Sequence, residues 1–279
     1  MKRTIVGLAL ATGVALITAV PAQAAAPKAD PVKALKAQFV PGKGVKTTAT
    51  LRMSISGDPV ITARETGALA WSRSGVAASD KTVKFSLDPV VVSALEEGDE
   101  DGAALKDLVR TPTRQITIKN WSYLSGGLVA GSLPEGKTWV RGPRTDAASL
   151  GGPSVDLFSP GTLKTLLSSA SSVKNGLAKG TIKAGKLPSR PLGFKASQKV
   201  TWALWFDSKG LVSRFTTKIS LPMGRGETID FTADSRYTGW GSTVKVTEPA
   251  AESWVDAKDL DKELPNVPGM PESLTEAPK

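Results

Sequence analysis

From residue 43 to residue 246 the chain is dominated by a period of two, with apolar and polar positions alternating and Gly-containing turns breaking the runs. Alternation of this kind puts successive side chains on opposite faces of a strand and predicts antiparallel, half-buried strands. Val45, Ala49, Leu51, Met53 and Ile55 fall on one face, opposite Lys46, Thr48, Thr50, Arg52 and Ser54. A second strand passes through Leu69 and Trp71, turns at Arg73-Ser74-Gly75, and returns toward Val83 and Phe85. Ile116 and Ile118 alternate with Thr117 and Lys119 in a further strand that leads to Trp121 and Tyr123. The clearest hairpin comes late: Val200, Trp202, Leu204 and Phe206 share a face, Asp207-Ser208-Lys209-Gly210 turns the chain, and Leu211, Phe215, Ile219 and Leu221 share a face on the way back. Gly210 can supply the positive φ that closes such a turn. Beyond Gly224-Arg225-Gly226, Ile229, Phe231 and Ala233 mark another strand, and Val244 and Val246 predict a last one.

Three helical pieces interrupt this pattern, each opened by a capping residue followed by Pro: Asp30-Pro31, Asp88-Pro89 and Ser159-Pro160. In the third, Leu163, Leu166, Leu167, Ala170 and Val173 keep helical spacing, and Gly176 is placed to end it, so a helix over 160–175 is predicted. Such apolar stripes need a surface to cover, and one face of the sheet supplies it. With no internal repeat and no long linker, residues 25–256 read as one α+β domain.

Composition narrows the chemistry. The 279 residues include no His and no Cys. An imidazole base, a thiol nucleophile, a Cys/His zinc site, a disulfide and a lipid-modified cysteine are thereby removed. Residues 1–24 read as a cleaved secretory signal: Lys2 and Arg3, then the apolar run Ile5 to Val20, then Ala22-Gln23-Ala24. The product is therefore expected outside the cytoplasm, secreted or in the cell envelope. Net charge is +10, and the acids are concentrated late, with Glu248, Glu252, Asp256, Asp259, Asp261, Glu263, Glu272 and Glu276 set against Lys258, Lys262 and Lys279. The body is correspondingly basic and suited to transient contact with anionic membrane surfaces or exported proteins. Residues 257–279, rich in Pro and charge, read as a flexible tail.

The catalytic motifs present are weak in their context. Gly131-Ser-Leu-Pro-Glu-Gly136-Lys137-Thr138 matches a phosphate-loop pattern, yet Trp139-Val140-Arg141-Gly142-Pro143 predicts a strand where a helix is required. Ser171-Ser172-Val173-Lys174 has Ser-x-x-Lys spacing without the companion motifs of penicillin-recognising enzymes. Glu96-Glu97-Gly98-Asp99-Glu100-Asp101 lacks the alternation of a calcium loop and reads as a solvated loop. Asn120-Trp121-Ser122 is a glycosylation sequon inside a predicted strand. Most of the seven Trp sit within strands or next to turns, where packing is their ordinary role, so no nucleic-acid partner is read. No enzyme activity, metal or cofactor is expected.

Several segments together resemble a known group. The short helix from Pro31 to Phe39, the Val45-to-Ile55 strand, Tyr123-Leu124 followed by Leu133-Pro-Glu-Gly-Lys-Thr-Trp139-Val140, and the Leu157-Phe-Ser-Pro-Gly-Thr-Leu-Lys helix entry recur in this order. With Trp202-Ala-Leu-Trp-Phe-Asp-Ser-Lys-Gly-Leu211, Thr232-Ala-Asp-Ser-Arg-Tyr-Thr-Gly-Trp-Gly241 and Val244-Lys-Val-Thr-Glu-Pro249, they resemble the exported LolA-like proteins, including the LppX/LprG-type lipoproteins. The resemblance implies a curved antiparallel sheet forming an incomplete β-barrel, with short helices lidding an apolar concavity that accepts acyl chains. It implies a non-catalytic carrier of lipid, lipoprotein acyl chains or another apolar ligand; the other reading left open is a cell-envelope interaction module with no small-molecule ligand. The lipoprotein members carry a cysteine at the mature N-terminus, and Ala22-Gln-Ala-Ala-Ala26 has none, which implies a released product. Candidate ligand contacts are Leu51, Met53, Leu69, Trp71, Ile116, Ile118, Trp202, Leu204, Phe206, Phe215, Ile219, Ile229 and Phe231, which either line a cavity or fill a core. Each methylene that such a groove takes from water contributes about 0.8 kcal/mol.

Overall fold

A computed structural model describes residues 29–96, 107–127, 129–144, 155–189 and 194–260. The signal segment, the acidic run 97–101 and the tail beyond Leu260 lie outside the described residues. The strands are β1 (Lys43–Ile55), β2 (Asp58–Trp71), β3 (Val76–Leu87), β4 (Thr113–Ile118), β5 (Trp121–Ser125), β6 (Trp139–Pro143), β7 (Ala170–Lys174), β8 (Leu177–Lys183), β9 (Lys199–Phe206), β10 (Val212–Gly224), β11 (Glu227–Thr243) and β12 (Trp254–Asp256). The helices include α1 (Pro31–Ala37), α2 (Pro89–Glu96) and α3 (Pro160–Ser168). All twelve strands join one sheet in the order β12-β6-β5-β4-β3-β2-β1-β11-β10-β9-β8-β7. Its ladders are antiparallel except for β12, which runs parallel to β6. Because β7 and β12 are separate edges, the sheet is open, an incomplete barrel of the α+β class.

The central ladder joins the beginning of the domain to its end, with Lys43 opposite Thr243 and Ile55 opposite Ile229. Where that ladder stops, so does regular pairing: β11 runs on to Thr243, Val244 N–H donates to Gly42 C=O, and Val244 to Ala250 are not strand. The strand expected at Val244 and Val246 therefore does not form, since β1 has no residue left to pair with it. The Asp207 hairpin forms as its residues dictate. Asp207 Oδ1 accepts from the N–H groups of Lys209 and Leu211, each at 2.9 Å, and Gly210 has φ +78°.

Helix α3 is shorter than its apolar spacing predicts. It ends at Ser168, and Ala170 to Val173 belong to strand β7 instead. The serine run explains the change. Ser168 and Ser169 donate their hydroxyls back to Thr165 C=O and Leu166 C=O, capping the last turn, and Asn175-Gly176 with φ of +51° and +73° form the tight turn into β8. Gly176 thus closes a hairpin and does not end a helix. Asn120 likewise lies in the β4–β5 turn, outside the strand predicted for it.

Two apolar cores lie on the sheet's inner face. The larger packs Leu35 of α1 and Leu163 and Leu166 of α3 against Ala178, Ile182, Val200, Trp202, Leu204, Phe206, Phe215 and Ile219. The smaller gathers Leu51, Ala63, Val83, Phe85, Leu124 and Val140, with Val255, Ala257 and Leu260 packed on it from the C-terminal side. On the outer face a planar cation locks β12 in place. The Arg141 guanidinium donates to both Asp256 carboxylate oxygens at 2.6 and 2.7 Å and lies over the rings of Trp254 (3.6 Å) and Trp121 (4.3 Å). Among the described residues no helix is long and apolar enough to cross a membrane.

Candidate functional site

Strand register decides which side chains can meet. Val45, Thr47, Ala49, Leu51 and Met53 of β1 stand opposite Leu69, Gly67, Glu65, Ala63 and Ile61 of β2, and those in turn face Ser79, Lys81, Val83, Phe85 and Leu87 of β3. On the other side Tyr237, Ser235, Ala233 and Phe231 of β11 continue the same inner face, followed by Phe215, Thr217 and Ile219 of β10. A single hollow of about 370 Å3 is lined by inner-face residues from β4 across to β10, so this stretch of sheet is concave. It falls near the lower end of the ~300–1,000 Å3 typical of small-molecule sites, room for one chain or ring system. Its roof is the lead-in to α3, Val155 to Pro160, with Arg144 beside it.

The lining is not uniform. One part is apolar and aromatic: Leu69, Val76, Val155, Leu157, Phe158 and Phe215. Behind it stands a cluster of rings, with Trp71 5.6 Å from Phe39, 5.4 Å from Phe158 and stacked on Trp240 at 6.0 Å. Another part is polar: Thr47, Glu65, Ser79, Lys81, Gln115 and Thr117, all on the inner face. Alternation explains why these side chains point inward, but not why they are polar. Each occupies a position where its neighbours two residues away are in several cases core residues, as Thr47 between Val45 and Ala49.

Lys81 and Glu65 form an ion pair within this wall, Nζ to Oε1 3.5 Å, with side chains only 16% and 6% exposed. Gly67 makes the pair possible. It sits opposite Lys81, and a Cβ there would lie 2.9 Å from Lys81 Cγ and 2.5 Å from Asp80 C=O, so the bare glycine leaves room for the lysine stem beside β2. Charges this buried persist only when paired. Thr117 and Ser122 hydroxyls share a hydrogen bond of 3.3 Å. The Arg144 guanidinium, by contrast, is tied up by the C=O groups of Val76, Ala77 and Lys119. Thr47 Oγ1 is buried with no hydrogen-bond partner among the described residues, a condition that costs about 1–3 kcal/mol. Burial pushes the Tyr237 phenol well above its ordinary range, with the Ser235 hydrogen bond opposing and the carboxylates of Glu65 and Asp156 reinforcing the rise, so it stays a neutral donor.

Of the residues expected to touch ligand, eleven share the inner face: Leu51, Met53, Leu69, Trp71, Trp202, Leu204, Phe206, Phe215, Ile219, Ile229 and Phe231. Leu51, Leu69 and Phe215 line the hollow, whereas Trp71, Trp202, Leu204, Phe206 and Ile219 are buried in the larger core. Ile116 and Ile118 are on the opposite face, because Thr117 between them is the inward residue, paired with Ser79. The polar wall was absent from that expectation. Its signal is a polar residue on the inward register of a strand whose other inward residues are apolar.

The remaining motifs serve structure. Lys137 Nζ donates to Glu252 C=O at 2.9 Å and Thr138 N–H to Ser253 C=O, so the phosphate-loop lookalike anchors the C-terminal segment ahead of β6. Ser171 lies on β7 and donates to Lys179 C=O, so the Ser-x-x-Lys spacing falls on a strand and not on the helix that such a pair requires. Among the described residues no three His, Cys, Asp or Glu side chains converge as metal ligands would.

The chain matches no known protein-family profile, nor any curated protein. Solved structures similar to it include a LolA superfamily protein, NE2245, from Nitrosomonas europaea, 10% identical with a TM-score of 0.30 over 78% of this chain and 96% of that one. The hypothetical protein CT021 from Chlamydia trachomatis is 11% identical with a TM-score of 0.28, covering 79% of this chain and 98% of its own. A porin-like protein from Bacteroides uniformis is 9% identical with a TM-score of 0.24, covering 69% and 95%.

Proposed function

We propose that this protein is an exported, non-catalytic carrier of the LolA-like kind, holding one lipid, lipoprotein acyl chain or other ligand with an apolar part in the hollow between the sheet and the α3 lead-in. The observation that carries the reading is the roofed hollow of about 370 Å3 next to two well-packed cores. Among the described residues this hollow is left unfilled beside the packed cores, and Leu69, Leu157, Phe158 and Phe215 give it an apolar wall. In this reading residues 1–24 direct export, residues 25–256 form the carrier domain, and the basic body approaches anionic membrane surfaces or exported partners.

Native mass spectrometry of protein secreted by a bacterial host, followed by organic extraction of the same sample, tests the proposal. The expected result is a discrete extra mass that extracts as lipid. An empty protein that also takes up no long-chain fluorescent fatty acid would overturn it in favour of an envelope interaction module.

A further inference from the structure

The outer face of the sheet has a hollow of its own. About 480 Å3 in volume, it crosses six neighbouring strands in the order β7-β8-β9-β10-β11-β1. Five spacings of about 4.8 Å make it roughly 24 Å across, long enough for an extended chain. Register sets the lining. Arg52, Lys179 and Lys218 supply cations, and Thr181, Thr201, Thr216 and Thr232 supply hydroxyls from the same outward positions. Arg52 and Lys179 are exposed and have no ion pair among the described residues. Asp234, the acid in the described lining, is already held, since the Arg214 guanidinium donates to both of its oxygens at 2.8 and 2.6 Å.

Charge on this face is placed against the interest of the sheet. Arg64 stands directly opposite Lys84, Lys183 opposite Lys199, and Arg236 opposite Arg214. Like charges in such positions weaken a ladder. Of these six cations only Arg214 has an acidic partner among the described residues. An anion laid over the face would turn that repulsion into attraction.

The lining also selects the kind of anion. None of the exposed large apolar side chains of the described residues lines this hollow, so it lacks what a face needs to settle into a bilayer. An acidic peptide would use the cations and leave the row of threonine hydroxyls idle. A chain that carries both anionic groups and hydroxyls uses both, because a threonine hydroxyl donates and accepts. We infer that the outer hollow binds an acidic glycan as an extended chain, its anionic groups on Arg52 and Lys179 and its hydroxyls on the threonines. The site is separate from the carrier reading, since the hollow under the α3 lead-in lies on the other face of the sheet.

The test measures binding of three matched probes, hexagalacturonate, neutral maltohexaose and hexaglutamate, to the purified full-length secreted chain at neutral pH and low salt by calorimetry. The acidic glycan is expected ahead of the other two by about tenfold or more. Arg52→Gln combined with Lys179→Gln removes two exposed cations that hold nothing in the fold, and should weaken hexagalacturonate about tenfold. Lys36→Gln combined with Lys209→Gln takes the same charge from elsewhere and should leave it unchanged. Thr181→Val with Thr201→Val keeps the β-branched shape, and should weaken hexagalacturonate about threefold while leaving hexaglutamate as it was. Equal binding of hexaglutamate, or equal loss in the two charge variants, would reduce the hollow to unspecific attraction and overturn the proposal. So would binding to phosphatidylglycerol vesicles with none to hexagalacturonate, which would make this a membrane face. Each of these outcomes leaves the carrier reading where it stands.

Discussion

The larger core and the hollow beside it lie on the same face of the same sheet, yet they were built by different rules. Under α1 and α3 the inward positions are apolar apart from Thr162 and Thr217, and the space is filled by Leu163, Leu166, Trp202, Leu204 and Phe215. A few ångströms along β1, β2 and β3 the inward positions become Thr47, Glu65, Ser79 and Lys81, and the space opens. The contrast teaches that in a curled sheet apolar alternation marks where the chain packs against itself. An unfilled hollow is better marked by a break in that alternation, where polar groups are held inward at a cost in desolvation.

Substitutions on the two sides should therefore behave in opposite ways. The largest effect is expected from Leu166→Ala, because the side chain is fully buried under α3; urea unfolding should register a loss of about 3 kcal/mol, while each molecule still folded keeps its ligand capacity. Loss of binding without loss of stability would erase the distinction between core and hollow. Next comes the edge of the sheet. Asp256→Asn removes the bidentate partner of Arg141, and with both side chains about four-fifths buried the expected cost is about 1 kcal/mol, together with faster proteolysis in the segment after Thr243.

In the hollow the sign reverses. Thr47→Val removes an unpartnered buried hydroxyl at nearly constant volume, so the empty protein should gain up to about 1 kcal/mol in the same urea experiment. A loss there would mean that the hydroxyl is satisfied without ligand. The smallest effect is confined to alkaline solution. Tyr237 keeps its proton in the folded chain above the ordinary phenol value of about 10, whereas the unfolded chain releases it, so unfolding gains as pH rises through that region. Stability should be level below the unfolded-state value and decline above it. Tyr237→Phe should make the decline shallower, leaving a remainder from Tyr123, whose phenol is also raised, first by burial and then by Glu248.

Much of the scaffold is legible in the residues. Alternation through Val45 to Ile55 and Val200 to Phe206, with turns at Gly75 and Gly210, foretells the long ladders because period two leaves few other ways to bury those faces. The cut at Ser168 is less visible, since apolar spacing continues to Val173 and only the back-bonded serines end the helix. Register across strands is harder still. Nothing within Ile116-Thr117-Ile118 says that the threonine faces in, because both faces of β4 are covered and the choice is made by pairing with Ser79. For the same reason Glu65 and Lys81, distant in sequence and each ordinary on a strand, become a pair only once β2 and β3 are laid side by side.

The ring cluster behind the hollow gives the molecule an optical property of its own. Trp71 and Trp240 are stacked at 6.0 Å with planes 15° apart, and Phe158, part of the roof, touches both. Two indoles so close and nearly parallel couple their electronic transitions, and that coupling depends steeply on their spacing and tilt. Movement of the roof would change the near-ultraviolet circular dichroism and the emission of this pair. Were the hollow to take a ligand as proposed, its uptake would be followed on the unlabelled protein, in real time, through a signal that belongs to the roof and not to the ligand.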